Sequence, residues 1–422
     1  MKFEEALDFL YGFKDFEKEV RPYRQSLFSF RNFLKYLGNP HEKIGTPIIV
    51  AGTKGKGSVA TMLSYIIRES VGLYMSPHIL DVRERIQFEN RCISKEDFAY
   101  LMEAIKPIVT GRRTVFELLT TMAFMYFANK GTDYSVLEVG LGGRLDATNV
   151  VDAKMAIITR IDYDHTHILG RSLFQIAREK AGVIKRGTRV IYGAQKPEVR
   201  EVIEHVAKLK GAKPIELSTA GIRKVELTLQ GTYFQLDGED YFVPLLGEHQ
   251  VLNAMLAIRA AQMLGIPKEQ IKAGIGRVRL RGRVEILQHA PWYIVDGAHN
   301  TCSIKVLMDT INRIIPYRRL FLIFSVMRDK DVDGIAAILA PYVYYAFWVP
   351  LNHPRAMSPA IVAKIFTGRG VTGEQTELVT AVDKLNRLVD ATDLVLVTGS
   401  FYLVGEFLKL YGDGDKSVCA EG

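Results

Sequence analysis

Cysteine is scarce in this chain: Cys92, Cys302 and Cys419 are the whole complement of its 422 residues. They lack the close spacing of metal ligands, and a reducing cytosol suits them better than a disulfide framework. No apolar run approaches the roughly 18 residues a membrane span requires. The opening Met1-Lys-Phe-Glu-Glu is charged from the outset and has no apolar signal-peptide core. A cytoplasmic protein with no membrane partner is therefore the expectation. Repeats, low-complexity segments and long Lys/Arg runs interleaved with aromatics are also missing. The net charge of +8 is dispersed, which argues against a nucleic-acid partner and for an anionic small molecule.

What is present is an ordinary globular balance, 48% hydrophobic and 24% charged, with length enough for two domains. Residues 1–38 read as helical with Pro22 interrupting, and the tail from Gly412 to Gly422 reads as frayed. Between them, apolar strands alternate with helices: Val71–Met75, Tyr134–Val139, Met155–Thr159 and Arg189–Tyr192 are strands, Thr114–Ala128 and Ser172–Ile184 helices. Such alternation predicts a parallel sheet covered on both faces. From Glu226 to Leu246 the period changes to two, the mark of antiparallel hairpins, and a helix follows over His249–Leu264. The basic segment 281–284 reads as a linker between domains 1–280 and 285–422. Beyond it, Trp292–Val295, Leu320–Phe324, Val343–Val349 and Leu394–Val397 promise a second α/β unit.

The stretch Pro47-Ile-Ile-Val-Ala-Gly-Thr-Lys-Gly-Lys-Gly-Ser58 is a β-branched run that breaks into glycines, and Val59–Ile67 then reads as a helix. Strand, glycine turn and helix aim backbone N–H groups at phosphate oxygens. Lys56 would add a point charge, and Ser58 a hydroxyl near magnesium. The competing reading is a tight strand-to-helix turn with a surface lysine.

Other apolar strands run into chemistry. Met75 leads to Ser76, Leu137 to Glu138 and then Gly140-Leu-Gly-Gly-Arg144, and Ile157-Ile-Thr159 toward Asp162, Asp164 and His165. In a parallel sheet these ends share the edge that carries the glycine loop. Glu138, flanked by apolar residues, needs a facing charge, and magnesium is satisfied by few protein ligands; the alternative is a helix-capping role. In the second unit, Asp296 and His299 lie on a turn after an apolar strand, where a carboxylate could take a ribose hydroxyl or merely close an Asx turn. Arg283 could reach an anion as a clamp. Lys180 stands on a helix with nothing to single it out from Arg178 or Lys185.

Taken together, the chain resembles the folylpolyglutamate synthases, often combined with dihydrofolate synthase, of the Mur ligase superfamily. The resemblance rests on Gly52-Thr-Lys-Gly-Lys-Gly-Ser58, Ser76-Pro-His78, Arg83-Glu-Arg-Ile86, Phe116-Glu-Leu-Leu-Thr120 and Leu137-Glu-Val-Gly-Leu-Gly-Gly-Arg-Leu-Asp-Ala-Thr-Asn149. It continues through Asp164-His165, Glu179-Lys-Ala-Gly-Val-Ile-Lys185, Gly247-Glu-His-Gln250, Asn253-Ala254, Arg281-Gly-Arg-Val-Glu285 and Asp296-Gly-Ala-His-Asn300, in family order. One departure is Lys54, where bacterial members usually carry asparagine.

The resemblance implies a P-loop-type N-terminal parallel-sheet domain with a small antiparallel addition and a Rossmann-like C-terminal α/β domain. It implies an ATP-dependent amide ligase joining L-glutamate to a folate, or to dihydropteroate, through an acyl phosphate. Gly52, Thr53, Lys54, Gly55, Lys56, Gly57 and Ser58, with Asn253, Arg283 and Asp296, would hold ATP. Ser76, Glu138 and His165 would hold Mg2+, and Lys180 would be carbamylated. His299 would stand near the acyl phosphate and the incoming glutamate, and Arg83, Phe116, Glu117 and Asp146 would line the pterin side. Lys56, Glu138, His165, Lys180 and His299 are then the catalytic set, in a protein expected to be a monomer. The rivals are a Mur-type cell-wall peptide ligase and a nucleotide-binding switch without ligase chemistry.

Overall fold

A computed structural model describes residues 1–15, 26–109, 113–412 and 419. The interruption at Pro22 and most of the tail thus lie outside the described residues.

The alternation of β-branched runs and helices builds two mainly parallel sheets, each with an antiparallel edge. The first holds β1 (Thr46–Ala51), β2 (Val71–Tyr74), β3 (Ile86–Phe88), β4 (Arg91–Cys92), β5 (Tyr134–Glu138), β6 (Met155–Ile158), β7 (Arg189–Tyr192) and β8 (Pro214–Glu216), in the order β4-β3-β2-β5-β1-β6-β7-β8. Pairing is parallel from β2 to β8, and β3 and β4 add an antiparallel edge. Each face of β1 feeds its own core: Ile49 and Ala51 pack on one side, Ile48 and Val50 on the other. That is the burial a doubly covered parallel strand demands, and it explains the unbroken apolar run.

Three antiparallel strands, β9 (Ile222–Thr228), β10 (Gly231–Leu236) and β11 (Glu239–Val243), follow where the period of two began. The third sheet contains β12 (Glu285–His289), β13 (Trp292–Asp296), β14 (Leu320–Phe324), β15 (Val343–Trp348), β16 (Gly373–Gln375) and β17 (Leu394–Thr398), ordered β12-β13-β17-β14-β15-β16. It too is buried on both faces, with Leu320, Leu322 and Phe324 on one side and Phe321 and Ile323 on the other.

What positions the site is the switch in strand order. From β1 the chain crosses to β2 beyond β5, and from β5 it crosses back to β6, so β1 lies between β5 and β6. The parallel register sets Val50 beside Glu138 and Ile157, and Tyr74 beside Leu137. The carboxyl ends of four strands therefore open on one crevice, the place where α/β sheets bind ligands.

One expectation is overturned. Cys92 of β4 is joined to Cys419 in a disulfide that spans 327 residues of sequence. Cys302 is the free thiol among the described residues. Sequence separation hid the pair, because the fold returns the chain end to the edge of the first sheet.

Candidate active site

The helix Lys56–Ile67 begins inside the glycine turn. Gly55 stands before it at φ +85°, and no side chain caps the first turn. Its leading N–H groups are thus left for an anion, together with the positive end of the helix dipole. The glycines are sterically required: a Cβ on Gly52 would sit 1.9 Å from Thr159 Oγ1, and one on Gly55 2.2 Å from Asn253 Oδ1. Thr53 ties the loop to the end of β6, its hydroxyl donating to Asp162 O at 3.1 Å.

This loop floors a cavity of about 760 Å³, within the range of small-molecule sites. Its walls include Thr53 through Ser58, Ser76, Phe116, Glu138, Asp146, His165 and Asn253 from the first unit, Arg283 from the segment between the units, and Asp296 and His299 from the second. The two sheets therefore face each other across the loop.

Glu138 is buried, and its Oε2 accepts from Ser76 N at 3.0 Å. Burial pushes its carboxyl pKa up, against the pull of Lys56, the Ser76 N–H and Arg283. Such a carboxylate calls for a cation. The His165 side chain is 35% exposed; partial desolvation in the cleft, with Lys330, Lys56 and Lys180 nearby, lowers its pKa to about 4, which favours a free nitrogen lone pair. One carboxylate, a seryl group and an imidazole at the mouth of a phosphate loop are donors of the kind that would suit a magnesium ion, which needs few protein ligands.

Lys180 is 4% exposed, and its Nζ donates to Gly52 O at 2.6 Å. Burial, then Lys56, drive its pKa well below the ordinary lysine range. The signal was in the sequence: Leu173, Ile176, Ala177, Lys180 and Ala181 form the buried stripe of helix Leu173–Ala181, and a lysine on such a stripe is out of place.

Across the cleft, Asp296 accepts from Ala298 N at 2.7 Å and Val284 N at 2.8 Å. The Asx-turn reading is thus realised, on a residue that still lines the cavity. The Arg283 guanidinium stacks on Phe401, 4.4 Å from the ring centroid. His299 Nδ1 lies 2.8 Å from Gly297 O. Because a carbonyl only accepts, Nδ1 carries the proton and Nε2 keeps its lone pair. Burial, with Lys54 and Lys330 nearby, lowers its pKa to about 3.

Three expected pterin-side residues are engaged by other protein groups. Arg83 pairs with Asp81 at 2.8 Å and lies over Phe3. Glu117 closes a capping box with Thr114 at the start of helix Val115–Lys130 and pairs with Arg113 at 3.3 Å. The spacing Thr114-Val-Phe-Glu117 is that of a capping box and announced this role. Asp146 lines the cavity, but its carboxylate holds Leu141 N and Thr148 N at 3.0 Å each, stapling the glycine-rich turn after β5. Phe116 alone of the four offers the cavity an unencumbered apolar surface, packed over Gly140.

The Mur ligase middle domain model matches residues 50–261, and the Mur ligase glutamate ligase domain model matches residues 282–401. The Bacillus subtilis dihydrofolate synthase/folylpolyglutamate synthase is 31% identical over 404 residues, 90% of this chain and 93% of that one. The chain belongs to the folylpolyglutamate synthase branch of the Mur ligases. A second relative of this Mur ligase, the Halobacterium salinarum "probable bifunctional folylpolyglutamate synthase/dihydropteroate synthase", is 34% identical over 96% of the chain. The chain spans about half of that relative's length, 51%. Among solved structures, the Mycobacterium tuberculosis folylpolyglutamate synthase complexed with ADP superposes with a TM-score of 0.88 at 31% identity, covering 97% of this chain and 98% of that one. The Escherichia coli FolC in complex with DHPP and ADP gives 0.85 at 28% identity, covering 99% of each. The Mur ligase fold was thus legible in the motifs. Lys330, which reaches the cavity from the second unit, carried no site role in the sequence reading, although its Asp329-Lys-Asp331 setting keeps part of the family's second-domain pattern.

Proposed function

We propose that this Mur ligase spends ATP to join L-glutamate to the carboxylate of a folate, releasing ADP and phosphate. The observation that carries the reading is the cavity itself: an uncapped, glycine-lined helix start on one unit faces Asp296 and His299 on the other, with Arg283 of the intervening segment beside them. Domains 1–280 and 285–422 then act as the two jaws, with 281–284 between them.

A carboxylate is a poor electrophile, because its leaving group would be oxide. Attack of a carboxylate oxygen on the γ-phosphorus of ATP forms an acyl phosphate and releases ADP. The glutamate amine then attacks the acyl carbon, the C–N bond forms, phosphate leaves with the C–O bonding pair, and the proton lost from nitrogen goes to the departing phosphate. The loop amides and Lys56 stabilise the charge that moves between oxygens. Asn253, Arg283 and Asp296 hold the nucleotide from both sides. His299 Nε2, a lone-pair acceptor, orients an N–H of the incoming amine. Closure of the jaws keeps water from the acyl phosphate.

Ser76, Glu138 and His165 would hold Mg2+, which supplies charge neutralisation for the phosphates. Lys180, whose pKa burial lowers well below the ordinary lysine range, would offer a nucleophilic amine to carbamylation, which would place an anion beside the phosphate loop.

Dihydropteroate is a second acceptor worth testing, since the Escherichia coli neighbour was solved with DHPP and the Bacillus subtilis relative is named for both activities. ADP release is measured with ATP, glutamate and, side by side, tetrahydrofolate, dihydropteroate and a uridine-linked muramic acid substrate. Glutamate-dependent release with a pteridine acceptor, abolished in Lys56→Ala with the fold intact, supports the reading. Release only with the muramic acid substrate, or none at all, overturns it.

A further inference from the structure

Asp164 does more than stand beside His165. Its Oδ2 accepts from Lys54 Nζ of the glycine loop at 3.2 Å, and its Oδ1 from Lys330 Nζ of the second unit at 3.3 Å. The side chains of Asp164 and Lys330 are 13% and 10% exposed. Lys330 is steadied from behind by Asp329 at 3.5 Å, which also takes Arg355 at 2.6 Å. All of these residues except Asp329 line the cavity, in the electrostatic reach of His299.

Two ammonium groups this close repel each other. The carboxylate between them turns the repulsion into an attraction that spans the two jaws. The trio still carries one net positive charge, so an anion entering between the lysines meets a cation pair already in place. Asparagine at position 54, usual in bacterial members, would carry no charge to bridge.

We propose that Asp164 is a positioning residue. It draws Lys330 toward Lys54, so that one ammonium group from each jaw stands where negative charge passes from nucleotide to acyl phosphate. This rests on the ligase reading above. Asp164 touches no reacting atom; it acts through the two lysines.

The test uses the full chain and the variants Asp164→Asn, Lys330→Gln and their double. Asp164→Asn and Lys330→Gln should each raise the glutamate KM and lower kcat, together costing about tenfold or more in kcat/KM, with Tm little changed. In the Asp164→Asn background, Lys330→Gln should add less than about twofold, because its partner is already lost. A merely structural role would lower Tm and the active fraction and leave KM alone. Multiplying effects, or an Asp164→Asn enzyme within about twofold of the parent, overturn the proposal. Should Asp164→Asn fail to fold, Lys54→Asn and Lys330→Gln form the cycle, and the same non-additivity is required. The ligase reading fails separately, if the parent releases no ADP with any acceptor. Coupling between Lys54 and Lys330 is then read from AMPPCP affinity, and additive effects there sink the inference.

Discussion

Replacing Gly55 by alanine puts the nucleotide loop to a quantitative test. At φ +85° an alanine costs about 1–2 kcal/mol of backbone strain. Its Cβ would also lie 2.2 Å from Asn253 Oδ1. Asn253 is not free to step aside, since it is buried and its Nδ2 donates to Gln250 Oε1 at 3.0 Å. Breaking that bond adds about 1 kcal/mol. In the free enzyme the altered loop can relax; to bind nucleotide it must be rebuilt, so the penalty of about 2–3 kcal/mol falls on binding. At about 1.4 kcal/mol per decade, ADP affinity should fall by roughly 30- to 150-fold. Titration calorimetry with ADP and Mg2+ measures this directly. Asn253→Ala removes the obstructing oxygen, so the two substitutions should combine to less than the sum of their separate losses. A Gly55→Ala enzyme that binds ADP within about threefold of the parent would refute the reasoning.

Three further outcomes are expected. Glu138→Gln should abolish the magnesium dependence of ADP release while raising Tm in metal-free buffer, because a buried carboxylate is replaced by a neutral amide; an unchanged magnesium response removes Glu138 from the site. His299 has a folded pKa of about 3 against an ordinary 6.5, so the unfolded chain binds the extra proton between those values and stability falls as pH drops through that window. His299→Gln should flatten the acid limb of a Tm-against-pH curve, and an identical limb counts against the burial. Cys92→Ser opens a ring of 327 residues; the loop-entropy relation gives about 5–6 kcal/mol as an upper figure. A lower Tm than the unreduced parent is expected, and peptide mapping without reductant that finds Cys92 as a thiol would remove the cause.

Long apolar runs and strand ends were the legible part of this chain. β1, β5, β6, β13, β14 and β17 are buried on both faces, and double burial leaves an uninterrupted apolar signature. β3, β4, β8, β12 and β16 passed unnoticed: they are short or edge strands, and their pairing depends on neighbours rather than composition. Glu138, Ser76 and His165 could be gathered at one edge because parallel register does the gathering. Arg83 and Glu117 could not be separated from the cavity-lining residues by motif alone, because a motif can be kept for a capping box or an ion pair as well as for a ligand. Lys330 follows a buried strand, but only the meeting of two sheets brings it to Asp164.

The bond between Cys92 and Cys419 closes residues 92–419 into a circle, with the first ninety-one residues hanging from it. Both jaws' contributions to the cavity, apart from Asp15, the glycine loop, Ser76 and Pro77, lie on that circle. A protease that nicks any one loop there would leave a single covalent molecule. The wound would show on a gel only after a thiol had been added.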